Sequence, residues 1–281
     1  MKPEVNPERL LARTRYFSAL SLWQRIRRLE ESLRTLRAQG VPPPEDLTRE
    51  LAQARNDYRA LGPQLAAEAR RWPEGTWLLE QPGVAPLHAL GMTGFVDPEL
   101  HETAAMVWRY AGLAPASGRR GGGNPRFLAL TRDLLYGILQ DRSPENFYRR
   151  VYHDRLKALH ERNLEGGFAE KARRLQRRRR APNAWLEGRV DPECIARRRA
   201  EGKLPKAEGC SGEKGAFAPM LPPETITSYA RRQTLRILLV HYHAIGFEGV
   251  YGAEPELPWK RLPGYLPPPR AGVVASGAGT D

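Results

Sequence analysis

Residues 22–65 read LWQRIRRLEESLRTLRAQGVPPPEDLTRELAQARNDYRALGPQL. Leu22, Ile26, Leu29, Leu33 and Leu36 recur in alternating steps of four and three, the seam of a heptad helix. The pattern places one helix over residues 7–39. Gly40 and Pro42, Pro43 and Pro44 end it, because glycine accepts the left-handed cap and proline cannot continue the ladder. A second helix starts at Pro44 or Glu45. Its seam is Leu47, Leu51, Ala54, Tyr58, Leu61 and Leu65, in the same four-three steps. Gly62 and Pro63 fall inside that seam and are expected to kink or end it. Two heptad helices joined by a short proline turn make an antiparallel helical hairpin, or coiled coil, over residues 1–75. The hairpin sets the fold class as mainly α, and it is expected to serve as a homo-oligomerisation or packing arm.

Working outward, residues 76–176 are expected to form a helical domain. It begins with short helices and tight turns over 76–116. An amphipathic helix follows over 125–140, with Leu128, Thr131, Leu134, Leu135, Ile138 and Leu139 on one face. Ser143 is placed as an N-cap with Pro144 at the first helical position, opening a helix to about Gln176 that breaks near Gly166 and Gly167. Residues 177–222 are rich in Arg, Gly and Pro without periodicity, and are expected to be a basic, largely irregular insertion. A last helix over 223–250 would pack on the helical domain through Ile226, Tyr229, Ile237, Val240, Ala244 and Phe247. Residues 251–281 form a Pro/Gly-rich tail expected to be disordered.

The net charge is +13, with 45 basic against 32 acidic residues. Such a balance favours a polyanionic partner. Residues 117–180 alone carry 17 Lys and Arg against 7 Asp and Glu. Arg makes up 38 of the 45 basic residues. Arg suits bidentate phosphate contacts and base stacking, although GC-rich coding also enriches it. No stretch approaches the roughly 20 apolar residues of a spanning helix, so no membrane partner is expected. The N-terminus lacks a secretory pattern, and two cysteines, Cys194 and Cys210, neither staple a chain of this size nor make a zinc site. A cytoplasmic setting is the simplest expectation.

Four stretches carry candidate chemistry. In LLEQPGVAPLHALGM, residues 78–92, Gly83, Val84 and Ala85 fit a helix–hairpin–helix turn, whose amides hold a duplex phosphate. An ordinary Pro-Gly turn explains the same residues. In the loop GRRGGGNPR, Arg119, Arg120 and Arg126 would clamp phosphates beside glycine amides, while Ser117 is a lone serine without a local base. In FYRRVYHDR, Tyr148 and Tyr152 share a helix face next to Arg149. A tyrosine there could attack a phosphodiester, or simply pack in the core. Asp154, Glu161 and Glu165 could hold magnesium if the protein is catalytic, and otherwise no cofactor and no metal site is expected. The run KARRLQRRRR ends in Arg177, Arg178, Arg179 and Arg180, which would add non-specific affinity for polyanions. His241 and His243 point about 200° apart on a helix and cannot chelate one ion there.

The segments PGVAPLHALGM, AAMVWRYAGLAP, GRRGGGNPRFLALTRDLL and FYRRVY together resemble the C-terminal domain of the insertion-sequence one-ten transposases, which work with a structured bridge RNA. The likeness covers roughly residues 77–152. It extends more loosely through HERNLEGGFAEKA and SYARRQTLRILLVHYHAIGFE, in the manner of a phage and bacterial offshoot of those transposases. Its matched positions are Tyr110, Ala111, Gly112, Leu113, Pro115, Phe147, Tyr148, Tyr152, Glu161, Arg162, Asn163, Gly166, Arg231, Arg232, His241 and His243. The resemblance implies a helical domain that binds DNA and takes part in transposition and recombination. Two departures qualify it. The family's nuclease domain, an α/β unit with four metal-binding carboxylates, is replaced here by the helical hairpin. The family's catalytic serine falls on Arg119 or Arg120, with Ser117 two or three residues early.

The expectation is therefore a transposase-like protein that binds DNA, or structured RNA, without complete catalytic machinery. Two alternatives stand beside it. One is an active recombinase doing strand transfer through Ser117 or Tyr148. The other is a phage structural or assembly protein acting through its coiled coil.

Overall fold

The computed structural model describes residues 6–114, 123–179, 181–253, 255 and 267–269. Ten helices lie among them. The only β pairing among the described residues is an isolated antiparallel bridge between Val190 and Ser211. The protein is mainly α. The chain divides into two units: residues 1–147 with 235–281, and residues 148–234.

In the first unit, α1 (Pro7–Ala38) and α2 (Glu45–Ala69) form the hairpin. The Asn6 side chain caps α1 by accepting from the Glu8 amide at 3.0 Å, and Pro7 takes the first helical position. Gly40, at φ +71°, ends it. The Gly40 amide bonds Arg37 O and the Val41 amide bonds Leu36 O at 2.9 Å, a Schellman cap that satisfies the last carbonyls. Ile26, Leu29, Leu33, Leu51 and Ala54 form the seam core, flanked by Leu22, Leu47 and Tyr58. The heptad face of α1 is thus covered by α2 of the same chain. Pro63 does not end α2. The helix continues to Ala69, because Leu65, Ala66 and Ala69 beyond the proline are held by burial.

The hairpin's other end packs on α4 (Pro86–Phe95), which α3 (Pro73–Leu79) precedes. Nearly every residue of α4 from Leu87 onward is buried. Two glycines allow this. A Cβ on Gly94 would stand 2.6 Å from the Arg13 backbone nitrogen, and one on Gly91 would stand 2.8 Å from the Tyr16 ring. Arg9 locks the crossing from inside. Its guanidinium pairs with Glu74 at 2.8 Å, donates to Thr93 O and Val96 O at 3.0 and 2.9 Å, and lies over the Trp72 ring. Glu74 is fully buried and Arg9 nearly so.

α5 (Ala104–Tyr110) and α6 (Pro125–Gln140) complete this unit with the later turns of α10 (Pro223–Tyr251). α5 ends on Gly112 at φ +66°, with the Leu113 amide bonded to Trp108 O at 2.8 Å. Trp108 donates through Nε1 to Arg236 O, and Ala104, Val240 and Ala244 form a small core beside it. Residues Ser143 and Pro144 do not open a helix. They lie in a turn where Ser143 bonds the Asp141 carboxylate, and the next helix starts at Phe147.

The second unit is built on α7 (Phe147–Leu164), α8 (Ala169–Gln176), α9 (Pro192–Ala200) and the first turns of α10. The expected break appears at Gly166, φ +79°, where the Gly167 amide caps α7 on Arg162 O. Leu159, Ala172, Leu186, Leu221, Ile226 and Ala230 make its core. Asn163 clamps the strand of chain entering α10: Nδ2 donates to Leu221 O at 3.0 Å and Oδ1 accepts from the Leu221 amide at 2.9 Å.

Residues 177–222, expected to be largely irregular, hold a small core of their own. Trp185, Val190, Ile195, Cys210 and Met220 are buried together. Asp191 caps α9 with Pro192 at the first helical position, a start signal legible in the sequence. Cys194 and Cys210, not expected to staple anything, form a disulfide with 5.7 Å between Cα atoms. The Asp191 amide to Cys210 O and the Gly212 amide to Arg189 O, at 2.8 and 2.7 Å, run beside it.

Candidate nucleic-acid interface

The +13 net charge is not shared between the units. Residues 148–234 hold 21 basic against 11 acidic residues, and the rest of the chain holds 24 against 21. The second unit therefore carries +10 on fewer than a third of the residues.

Within that unit the excess concentrates on α8, α9 and the turn after α8. Ala172 is the one buried residue of α8, so its basic side chains face outward. Arg174 is paired with Glu170 on the next turn, and Lys171 lies over the Tyr229 ring at 4.1 Å. Arg173, Arg177, Arg178 and Arg179 are exposed and have no carboxylate partner among the described residues. In α9, Arg197, Arg198 and Arg199 occupy the last turn, where cations offset the helix dipole. Arg198 is tied to Leu204 O and Glu208 O. His160, from α7, has its pKa lowered to about 4, by burial first and by Arg199 second. That positive neighbour locates α9's charge beside α7.

The other expected residues fall as follows. Arg177, Arg178 and Arg179 join the exposed basic surface just described. Ser117, Arg119, Arg120 and Arg180 lie outside the described residues. The ends of the glycine loop are within them, and they are pinned together. The Asn124 amide donates to Tyr110 O and its Nδ2 to the Tyr110 hydroxyl, both at 2.7 Å. A Cβ on Gly123 would stand 2.4 Å from the Gly112 nitrogen. The Asn124 carbonyl oxygen of the side chain caps the Arg126 and Phe127 amides, so α6 starts here with Arg126 exposed in its first turn.

Gly83, Val84 and Ala85 form the tight turn between α3 and α4, with Gly83 at φ +81°. Its back is pressed on α6: a Cβ on Gly83 would stand 2.5 Å from Gly137 O. The Val84 amide is spent on Gln81 O. Tyr148 is fully buried, and burial pushes its hydroxyl well above the ordinary tyrosine value, which opposes ionisation. Arg149 beside it is half-buried. Asp154, Glu161 and Glu165 are all exposed, and no group of three or more potential ligands converges among the described residues. His243 donates through Nε2 to His101 O at 2.7 Å, and burial lowers its pKa. Among the described residues, no helix is long and apolar enough to cross a membrane.

Comparison with known proteins adds no relative: no family model, no curated protein and no solved structure matches this chain.

Proposed function

We propose that this protein binds nucleic acid, DNA foremost, by contacting phosphates with the arginines of its second unit. The observation that carries the proposal is charge without counter-charge. Arg173, Arg177, Arg178 and Arg179 are exposed, with no carboxylate partner among the described residues, in a unit holding 21 basic and 11 acidic residues. Exposed guanidinium groups lacking carboxylates exchange water and counterions for phosphate, and the counterions released favour binding at low salt. Arg also forms two parallel bonds to one phosphate.

The likeness of residues 77–152 to insertion-sequence one-ten transposases supports a setting in transposition. Arginine at the family's serine position favours binding over strand transfer. Retardation of duplex DNA by the full chain tests this. A shift at low salt that fades as salt rises is expected, and no shift of any DNA or RNA contradicts it. A covalent protein–DNA adduct that is lost in Ser117→Ala would replace the binding reading with strand transfer.

A further inference from the structure

A second basic feature lies in the first unit, on different helices. A groove of about 420 Å³ is lined by Leu10, Arg13, Phe17, Phe95, Asn124 and Arg126. Its two guanidinium groups are held by rings. Arg13 lies over Phe95 at 5.7 Å and Arg126 over Phe17 at 5.2 Å. Neither has a carboxylate partner among the described residues. The rings are themselves fixed: Phe17 meets Phe95 edge-on at 5.8 Å, and Phe95 contacts Phe127, which stacks on Tyr110.

The geometry points to a binding site for one unpaired nucleotide of a single strand. A guanidinium drawn over an aromatic ring is partly desolvated on that side. Its other face can stack a base while its edge donates to a phosphate. Two such groups in one concave site supply both interactions to one nucleotide. The size lies in the range of small-ligand sites. The site carries two positive charges and none of its lining side chains is acidic, which selects an anionic ligand. Its ring-backed guanidinium groups have no stacking use for a duplex, whose bases are stacked inside, but they suit a strand whose bases are splayed out. Leu10, 47% exposed at the rim, extends the apolar surface a base would cover.

Sequence reading finds Arg126 but not its partners. Arg13 and Phe17 sit four apart on α1, and only the crossing with α4 at Gly94 brings them to Phe95. This inference rests on the nucleic-acid reading above, yet it uses none of the second unit's arginines.

The test measures fluorescence anisotropy of labelled oligo(dT), and of a duplex of equal length, on the full chain. Arg13→Ala with Arg126→Ala is expected to weaken oligo(dT) binding about tenfold, the loss of base stacking and its phosphate bond, and to weaken duplex binding clearly less. The charge-keeping pair Arg13→Lys with Arg126→Lys is expected to recover only part of the loss, since lysine does not stack. Unchanged oligo(dT) affinity overturns the groove site and leaves the proposed function standing. Equal weakening on both ligands also overturns it, by showing a bulk charge effect. If the wild-type chain binds neither ligand, both readings fall. The Cβ of Arg13 that meets Gly94 survives in either variant, and a thermal melt of each checks that it is folded.

Discussion

The hairpin and the α8–α9 region hold the same number of basic residues, at about twice the density in the second, and use them differently. Residues 7–69 contain 11 basic and 8 acidic residues, and residues 169–200 contain 11 and 4. In the hairpin, six of the 11 meet a carboxylate: besides Arg9, these are Arg15 with Glu68, Arg25 with Glu50, Arg27 and Arg55 with Glu30, and Arg34 with Glu31. Arg9 is buried with its acid. In α8 and the turn after it, Arg174 alone is paired among the described arginines. Arginine content by itself therefore says little about binding. What separates an arginine that supports a fold from one offered to a partner is whether the chain supplies its counter-charge.

The largest expected effect lies on the hairpin side. Arg9→Ala leaves Glu74 buried without its cation, and is expected to cost about 3–5 kcal/mol of unfolding free energy in urea. DNA affinity of the folded fraction should not change. A variant as stable as the wild type would break the claim that this arginine serves the fold.

On the other side of the comparison, the Cys194–Cys210 disulfide closes a 16-residue separation that begins inside α9. Reducing it is expected to cost the second unit about 3 kcal/mol. Limited proteolysis should then cut first within residues 195–209, and equal resistance with and without reductant contradicts this.

A smaller effect is set by pH. The folded-state pKa of His160, about 4, lies below the ordinary 6.5. Below pH 6.5 the unfolded chain therefore binds the proton that the folded chain refuses. Stability falls as pH drops from about 6.5 to about 4, and the trend ends once the folded form protonates. His160→Gln should flatten the melting temperature over that window, and an unaltered slope would remove the Arg199 neighbourhood from the account.

The smallest effect belongs to Arg25, which is 55% exposed opposite a Glu50 that is 42% exposed. Arg25→Ala is expected to change stability by less than about 1 kcal/mol and DNA binding not at all. A clear loss of DNA affinity would blur the line between the two regions.

Much of the fold was legible, and for local reasons. The four-three seam, Gly40 and the proline turn specify the hairpin from neighbours in sequence. Gly166 and the α6 pattern specify their elements in the same way. What stayed hidden depended on distant partners. The seam does not reveal that α1 also crosses α4, because Gly91 and Gly94 carry no pattern until Arg13 and Tyr16 stand against them. Pro63 reads as a kink or an end, and burial of Leu65 and Ala69 beyond it carries the helix on to Ala69. Within residues 177–222 the start of α9 went unread, although Asp191 and Pro192 carry its signal. The small core around Trp185 and Cys210 has no periodicity to announce it. At the candidate site the arginine run was visible, but the absence of partners was not. Counter-charge is a property of the folded surface, and in the hairpin Glu50 and Glu68 reach their arginines across 25 and 53 residues.

The most direct test of the central claim is the salt dependence of duplex binding for the wild type and for the chain with Arg173, Arg177, Arg178 and Arg179 all changed to Gln. Each phosphate contact adds about 0.9 to the slope of log affinity against log salt. The account predicts a shallower slope in proportion to the contacts removed, with the melting temperature unchanged because these side chains bond nothing within the described fold. An unchanged slope, or one lowered equally by removing Arg25, Arg34 and Arg55 from the hairpin, would contradict it.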